Sequence, residues 1–221
     1  RIITEKCKPL KDNIDSCNGY KILNQDKFEM YITYIISQNN NVKRIMGSVD
    51  KLSRLYGKCV KFRGEDYYLF PTYEDMKDIT LEELKGIGVG FRDTYIRNAL
   101  DKLGEDRNFL EKLDFMSTEK ALNELTSIKG IGVKVASCIL MFGYGRFDTF
   151  PVDTWVRHFV SDNFDIKNDI KSISKYMKDM FGEYSGIAIQ YFYHIGRNIN
   201  KNSEIKWNSL AKTVCTHKKS K

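Results

Sequence analysis

Two side chains of this sequence have the type and setting of a reacting pair, Lys134 and Asp153. Lys134 falls in the first turn of a helix that the pattern starts just beyond Gly132, and a cation there opposes the helix dipole. It also borders the apolar run Val135 to Phe142, so part of its hydration should be lost. Both effects favour the neutral amine, the form that attacks an electrophilic carbon. A lone lysine in such a place is otherwise a plain surface group. Asp153 follows Phe150-Pro151-Val152 where a helix N-cap belongs, and backbone N–H groups there keep a carboxylate ionised. Pro151 stiffens the approach, so the carboxylate is aimed rather than floppy.

A third component precedes them. In Leu125-Thr126-Ser127-Ile128-Lys129-Gly130-Ile131-Gly132-Val133-Lys134-Val135-Ala136, the glycines Gly130 and Gly132 permit positive φ and the close approach of another backbone. The helix beyond them presents unpaired N–H groups and a dipole that favours an anion. Small Ala136 lets the two helices cross closely. Such a hairpin suits a DNA phosphate gripped through backbone amides without reading sequence, although the same spacing also joins two packed helices with no ligand. A nucleophilic amine and a fixed carboxylate beside a phosphate-binding hairpin form a coherent catalytic set.

The elements that must carry these groups read as helical nearly everywhere. Phe28, Tyr31, Ile32, Ile35 and Ile36 form one apolar stripe over 26–37, and Val42, Ile45, Met46, Val49, Leu52, Leu55 and Tyr56 form another that stops at Gly57. Residues 58–74 hold the strand or hairpin material, around Tyr67 to Phe70. Thr80 and Glu83 predict a capping box for a short helix ending before Gly86. A helix should run from Phe91 or Arg92 to Leu103. Another, capped by Ser117 or Thr118, halts at Gly130. Lys134 to Phe142, apolar almost all round, predicts a buried helix. Further helices follow Asp153 and fit 169–181 and 186–199. The two Gly-Ile-Gly segments, at 86–88 and 130–132, read as two tight turns rather than a solenoid. The expectation is an all-α chain of nine or ten helices with at most a small hairpin near 60–70.

Composition bounds the partners. The chain of 221 residues carries 36 basic and 29 acidic side chains, a net charge of +7, which favours a polyanion but is weak on its own. With 42% hydrophobic and 29% charged residues and 3 prolines, it is ordinary globular material, and disorder and low-complexity classes are excluded. The longest largely apolar run, Val135 to Phe142, is far short of the roughly 20 residues of a membrane span, and no secretory pattern opens the chain. Cys7, Cys17, Cys59, Cys138 and Cys215 include no CxxC pair, and His158, His194 and His217 lack HExxH spacing. Reduced intracellular thiols are therefore expected, without a zinc site or disulfide framework.

Four motifs in order then carry a resemblance. They are Ile36-Ser37-Gln38-Asn39-Asn40-Asn41-Val42-Lys43-Arg44-Ile45, Gly88-Val89-Gly90-Phe91-Arg92, Gly130-Ile131-Gly132 with Lys134 and Val152-Asp153, and Gly182-Glu183-Tyr184-Ser185-Gly186. Together, from about Tyr20 to Asn198, they resemble the helix–hairpin–helix (HhH-GPD) DNA glycosylase superfamily, and within it the 8-oxoguanine DNA glycosylase/AP lyases. The resemblance implies two helical subdomains flanking a DNA-binding cleft, with residues 21–200 as the glycosylase domain and its hairpin at 125–142. Residues 1–20 would be a remnant or linker after the family's N-terminal β domain, which this sequence would lack, and Arg1 as first residue suggests a fragment or processed chain. Residues 201–221 would be a basic tail.

The same resemblance implies roles. Lys134 would attack C1′ of the damaged nucleotide and form a Schiff base, and Asp153 would stabilise the developing positive charge. Asn39 would fill the gap left by the extruded base and Phe91 would wedge into the stack. Arg44 and Arg92 would hydrogen-bond the estranged cytosine. Amides of Gly130, Gly132 and Val135 would take a phosphate, with a monovalent cation at the hairpin carbonyls. Cys138 and Tyr193 would face the flipped base. Ile189 stands where the family places glutamine, with Gln190 next, and Trp155 stands where a phosphate-binding histidine is usual. With Cys215 the one cysteine of the tail, no iron–sulfur cluster is implied. The expected protein is an intracellular, DNA-associated monomer, in cytoplasm and nucleoid or in a nucleus, with no membrane partner. It would excise 8-oxoguanine from double-stranded DNA, preferably opposite cytosine, and nick the strand without a required cofactor. The competing readings are a non-catalytic hairpin module and a relative with another oxidised-base specificity.

Overall fold

The computed structural model describes residues 2–7, 21–164 and 166–199. Cys17, Cys215, His217 and the tail 201–221 lie outside the described residues. In chain order the helices begin with α1 (Ile2–Lys6), α2 (Lys27–Ile36) and α3 (Val42–Tyr56), followed by strands β1 (Cys59–Phe62) and β2 (Glu65–Tyr68). Then come α4 (Tyr73–Met76), α5 (Leu81–Ile87), α6 (Asp93–Glu105), α7 (Phe109–Lys112), α8 (Thr118–Thr126) and α9 (Val133–Tyr144). Last are α10 (Thr154–Phe164), α11 (Ile170–Phe181) and α12 (Ser185–Ile199). The all-α expectation holds, and each helix predicted above is present. Among the described residues α1, α4 and α7 are additions, each too short to show a full apolar period.

The chain divides into two compact units, Leu23–Gly145 and a second that joins Arg1–Ile22 to Arg146–Lys221. In the first, α2 and α9 form the centre. Tyr31, Ile32, Ile35 and Ile36 on α2 meet a core that includes Val135, Ala136, Ile139 and Leu140 of α9, with Leu84, Ile96, Leu100 and Leu125 around them. Each such aliphatic side chain contributes about 1.5–3 kcal/mol when fully buried. Gly143 lies against Lys27 and Met30 at this crossing, where a Cβ would stand 3.4 Å from Met30 Cβ, an ordinary packing distance.

Local chemistry sets the ends. Asp26, Asn41 and Ser117 cap α2, α3 and α8 through their side chains. Thr80 and Glu83 form the predicted capping box, but α5 runs through Gly86 to Ile87 and stops at Gly88, whose φ of 92° is left-handed. The stripe on α3 is narrower than predicted. Leu52 is buried and Ile45, Val49 and Tyr56 pack on the core, whereas Val42, Met46 and Leu55 are exposed and Ser48 and Ser53 are buried. The strands pair antiparallel, Cys59 with Tyr68 and Phe62 with Glu65, so the second strand ends before Leu69. Arg63 and Gly64 both take positive φ, as a two-residue turn matched to strand twist requires.

The second unit has an aromatic core in which Phe192 of α12 meets Phe159, Phe164 and Phe181 at centroid distances of 5.5, 5.9 and 6.0 Å. The N-terminal stretch expected as a linker contributes α1 here, packed on α11 with Ile3 and Cys7 buried. Among the described residues no helix is long and apolar enough to cross a membrane.

Candidate functional site

The hairpin between α8 and α9 is built around one glycine with left-handed backbone. Gly130 has φ of 104°, and a Cβ there would lie 2.3 Å from the Tyr95 ring, so no other residue fits without displacing that ring. Gly132 differs from the expectation. Its φ is −87°, in ordinary extended backbone, and a Cβ there would meet nothing within 4 Å. Turn geometry is therefore met by Gly130 alone, while Gly132 leaves an exposed, open surface at the N-cap of α9. No side chain caps α9, and its first internal bond is from Ala136 N–H to Gly132 O at 2.9 Å. The amide of Val135 thus belongs to the unpaired set at the helix start, although its side chain is buried.

Two side chains outside the sequence expectation hold this turn. Gln38 donates its amide to Gly130 O at 2.9 Å, and Asn98 donates to Lys129 O at 3.1 Å. Both bonds span long stretches of chain, and no local pattern announces them.

Lys134, half-buried on α9, holds its ammonium 5.6 Å from the centroid of the Tyr34 ring. That ring stacks on Phe142 at 5.5 Å and 16°. Burial first, and the neighbouring Cys138 thiol second, push the Tyr34 hydroxyl above its ordinary range, so the ring beneath the lysine is uncharged. An aromatic face attracts a cation electrostatically and places the nitrogen without tying it up in an ion pair. Cys138 is buried one turn further along the same helix.

The Asn39–Asn41 junction separates into three jobs. Asn40 donates to Ile36 O at 3.1 Å, closing α2. Asn41 caps α3, accepting from Arg44 N–H at 3.0 Å. Asn39 has a left-handed φ of 44° and is exposed, and no described residue hydrogen-bonds its carboxamide. Arg92 anchors that strained position. Its side chain is 4% exposed and donates to Val89 O at 2.9 Å, to Asn39 O at 2.8 Å and twice to Gln38 O. Burial, and then the nearby Arg44 charge, lower its hold on the proton. Arg44 itself is exposed, with no described side-chain partner. Phe91 is 54% exposed, lies edge-on to Tyr95 at 5.9 Å and carries the Arg92 guanidinium 4.4 Å above its ring.

In the second unit Asp153 takes the predicted N-cap. One carboxylate oxygen accepts from Val156 N–H at 2.8 Å and its carbonyl accepts from Arg157 N–H at 2.9 Å. The other carboxylate oxygen accepts from the Tyr193 hydroxyl, a partnership absent from the sequence expectation. Tyr193 also stacks on Trp155 at 4.9 Å and 21°, and Trp155 stacks on Phe159 at 5.0 Å and 11°. The indole is thus an aromatic support. Ile189 is fully buried on the α12 face that carries Ala188 and Phe192. Its neighbour Gln190 lines a cavity of about 330 Å³ with Ile22, Phe147, Ile187 and Tyr191. Among the described residues no cluster of His, Cys, Asp or Glu could hold a metal ion.

Residues 32–182 match the family model described as HhH-GPD superfamily base excision DNA repair protein. A probable N-glycosylase/DNA lyase of Methanothermobacter thermautotrophicus is 29% identical over 86% of this chain and 67% of its own length. The N-glycosylase/DNA lyase OGG1 of Arabidopsis thaliana is 32% identical over 62% of this chain, but the match spans 39% of that protein. Among solved structures, the Clostridium acetobutylicum 8-oxoguanine glycosylase/lyase, in complex with double-stranded DNA containing cytosine opposite 8-oxoG, superposes with a TM-score of 0.83. It is 31% identical over 90% of this chain and 70% of that one.

Proposed function

The chain belongs to the HhH-GPD superfamily of base excision DNA repair proteins, and on that footing we propose that it is a DNA glycosylase with abasic-site lyase activity. Its substrate is 8-oxoguanine in double-stranded DNA, preferentially opposite cytosine, and it acts as a monomer. The relatives named N-glycosylase/DNA lyase support the reaction class, and the DNA-bound neighbour supports the partner.

The observation that carries the reading is Lys134 at the start of an uncapped helix, behind a hairpin whose Gly132 leaves room for another molecule. Amides of Gly130, Gly132 and Val135 hold a phosphate there by backbone donation. Carbonyls of Ile128, Lys129 and Gly130 each accept one hydrogen bond and retain a second lone pair. They suit a monovalent cation, which would add positive charge beside that phosphate. Extrusion of the damaged base costs roughly a few kcal/mol, offset by inserted side chains. Asn39 enters the gap and Phe91 enters the stack. Arg44 reads the estranged cytosine, while Arg92 fixes the junction and keeps one N–H for the same base. Cys138 and Tyr193 contact the flipped base.

In the reaction the lone pair of Lys134 Nζ forms a bond to C1′. The N-glycosidic bond breaks with its electron pair on the base, which takes up a proton. Asp153, anionic and fixed, stabilises the positive charge that develops on the sugar. Loss of the amine proton and opening of the sugar give the Schiff base. Removal of a C2′ proton then expels the 3′ phosphate, and water hydrolyses the imine to free Lys134.

Borohydride trapping on an 8-oxoguanine:cytosine duplex tests this. A covalent adduct that vanishes in Lys134→Gln is expected. Equal trapping by the variant would refute the assigned nucleophile. No trapping by the parent, together with equal affinity for damaged and intact duplex, would refute the enzyme and leave the non-catalytic hairpin module.

A further inference from the structure

The carboxylate of Asp153 is held at both oxygens, one by its own helix and one by a side chain from α12. Val156 N–H fixes the first as part of the N-cap. The Tyr193 hydroxyl donates to the second. The tyrosine is oriented in turn by its stack on Trp155 at 4.9 Å, two residues after the aspartate, and Trp155 is backed by Phe159 at 5.0 Å. A cap alone leaves its second oxygen free to swing with χ2, which for aspartate is a broad torsion. An anion that must meet a charge developing at one atom gains most from a fixed position, because preorganised groups need no rearrangement as the reaction proceeds.

We infer that Tyr193 is a positioning residue for Asp153, its hydroxyl locking the carboxylate while its ring forms the platform for the flipped base, an inference that rests on the function proposed above. The same side chain then links occupancy of the base platform to placement of the anion. A phenylalanine could supply the platform and the stack on Trp155. It could not supply the lock. This also gives Trp155 a role: it sets the angle from which the hydroxyl reaches the carboxylate.

The test is a double-mutant cycle on single-turnover excision from the 8-oxoguanine:cytosine duplex, with Tyr193→Phe and Asp153→Asn. Asparagine remains a good N-cap, so α10 is retained in the second variant. Tyr193→Phe should slow excision about tenfold, as expected for losing one hydrogen bond to a charged group. Damaged-duplex affinity should stay within about twofold, because ring and stack persist. In the Asp153→Asn background, Tyr193→Phe should have no further effect on rate. An unchanged rate in the single variant would overturn the inference, and so would an equal loss in both backgrounds, which marks a role of the hydroxyl that does not pass through Asp153. Lys134→Gln, run alongside, separates the two failures. If the parent traps and Lys134→Gln does not, the glycosylase reading stands whatever the cycle shows.

Discussion

The paired glycines of the hairpin make opposite predictions from one kind of substitution. Gly130→Ala places a Cβ 2.3–2.6 Å from three atoms of the Tyr95 side chain on a backbone with φ of 104°. Left-handed backbone costs an L-residue about 1–2 kcal/mol, and forcing an extra methyl into packed surroundings costs about 1–3 kcal/mol. A loss near 3 kcal/mol is expected, which for a chain of this size lowers the melting temperature by about 6–12 °C. Gly132→Ala meets nothing within 4 Å and has φ of −87°. Its stability cost is about that of exchanging glycine for alanine at an N-cap, under about 1 kcal/mol. Its added methyl, however, would stand on the open surface proposed above for a phosphate at the α9 amides. Duplex affinity should therefore fall about tenfold or more, in line with the loss of a charge-assisted contact. Thermal unfolding and fluorescence anisotropy with labelled duplex, over a series of salt concentrations, read the two effects separately. Unchanged affinity in Gly132→Ala would refute the phosphate site at this hairpin. An unchanged melting temperature in Gly130→Ala would refute the account of the turn.

Two further outcomes follow from the junction and from α2. Arg92→Lys should lower stability by about 2–4 kcal/mol, since lysine cannot reproduce the planar donor set and leaves buried carbonyls unpaired. Arg44→Ala should leave stability within about 0.5 kcal/mol but weaken binding to the 8-oxoguanine:cytosine duplex by about 1–3 kcal/mol and relax the preference for cytosine opposite the lesion. Unfolding midpoints and binding titrations over the four opposite bases distinguish them, and interchanged phenotypes would reverse the assignment. Glu29, half-buried on α2, has its carboxyl raised above the ordinary 4.5, by burial first and the Asp26 charge second. A raised acid stabilises the fold fully below its ordinary value and loses that contribution as pH climbs through the folded value. Glu29→Gln should thus raise the melting temperature at pH 7, with the gain fading near pH 4. A gain constant across that range would show that ionisation is not its source.

Much of the architecture was legible because it rests on neighbours along the chain. The capping box of Thr80 and Glu83, the N-cap of Asp153 and the buried run of α9 all involve bonds or faces within one or two turns, where residue order and spatial order coincide. The same locality made Lys134 readable as a residue at a helix start. Where a pattern repeats too few times, as in α4 and α7, no period could form and the helices went unseen. Spacing likewise gave Gly130 and Gly132 the same freedom, although one is required by the ring of Tyr95 and the other by nothing in the chain. Contacts between distant segments carry no such signature. The reach of Gln38 to Gly130, the four bonds of Arg92 to backbone carbonyls and the bond from Tyr193 to Asp153 each depend on where whole helices come to rest. Residue types and short-range order single out the groups whose chemistry suits a reaction. Packing of apolar faces, which is set by the sum of many weak contacts rather than by any one position, settles which of those groups are held, which are exposed, and what holds them.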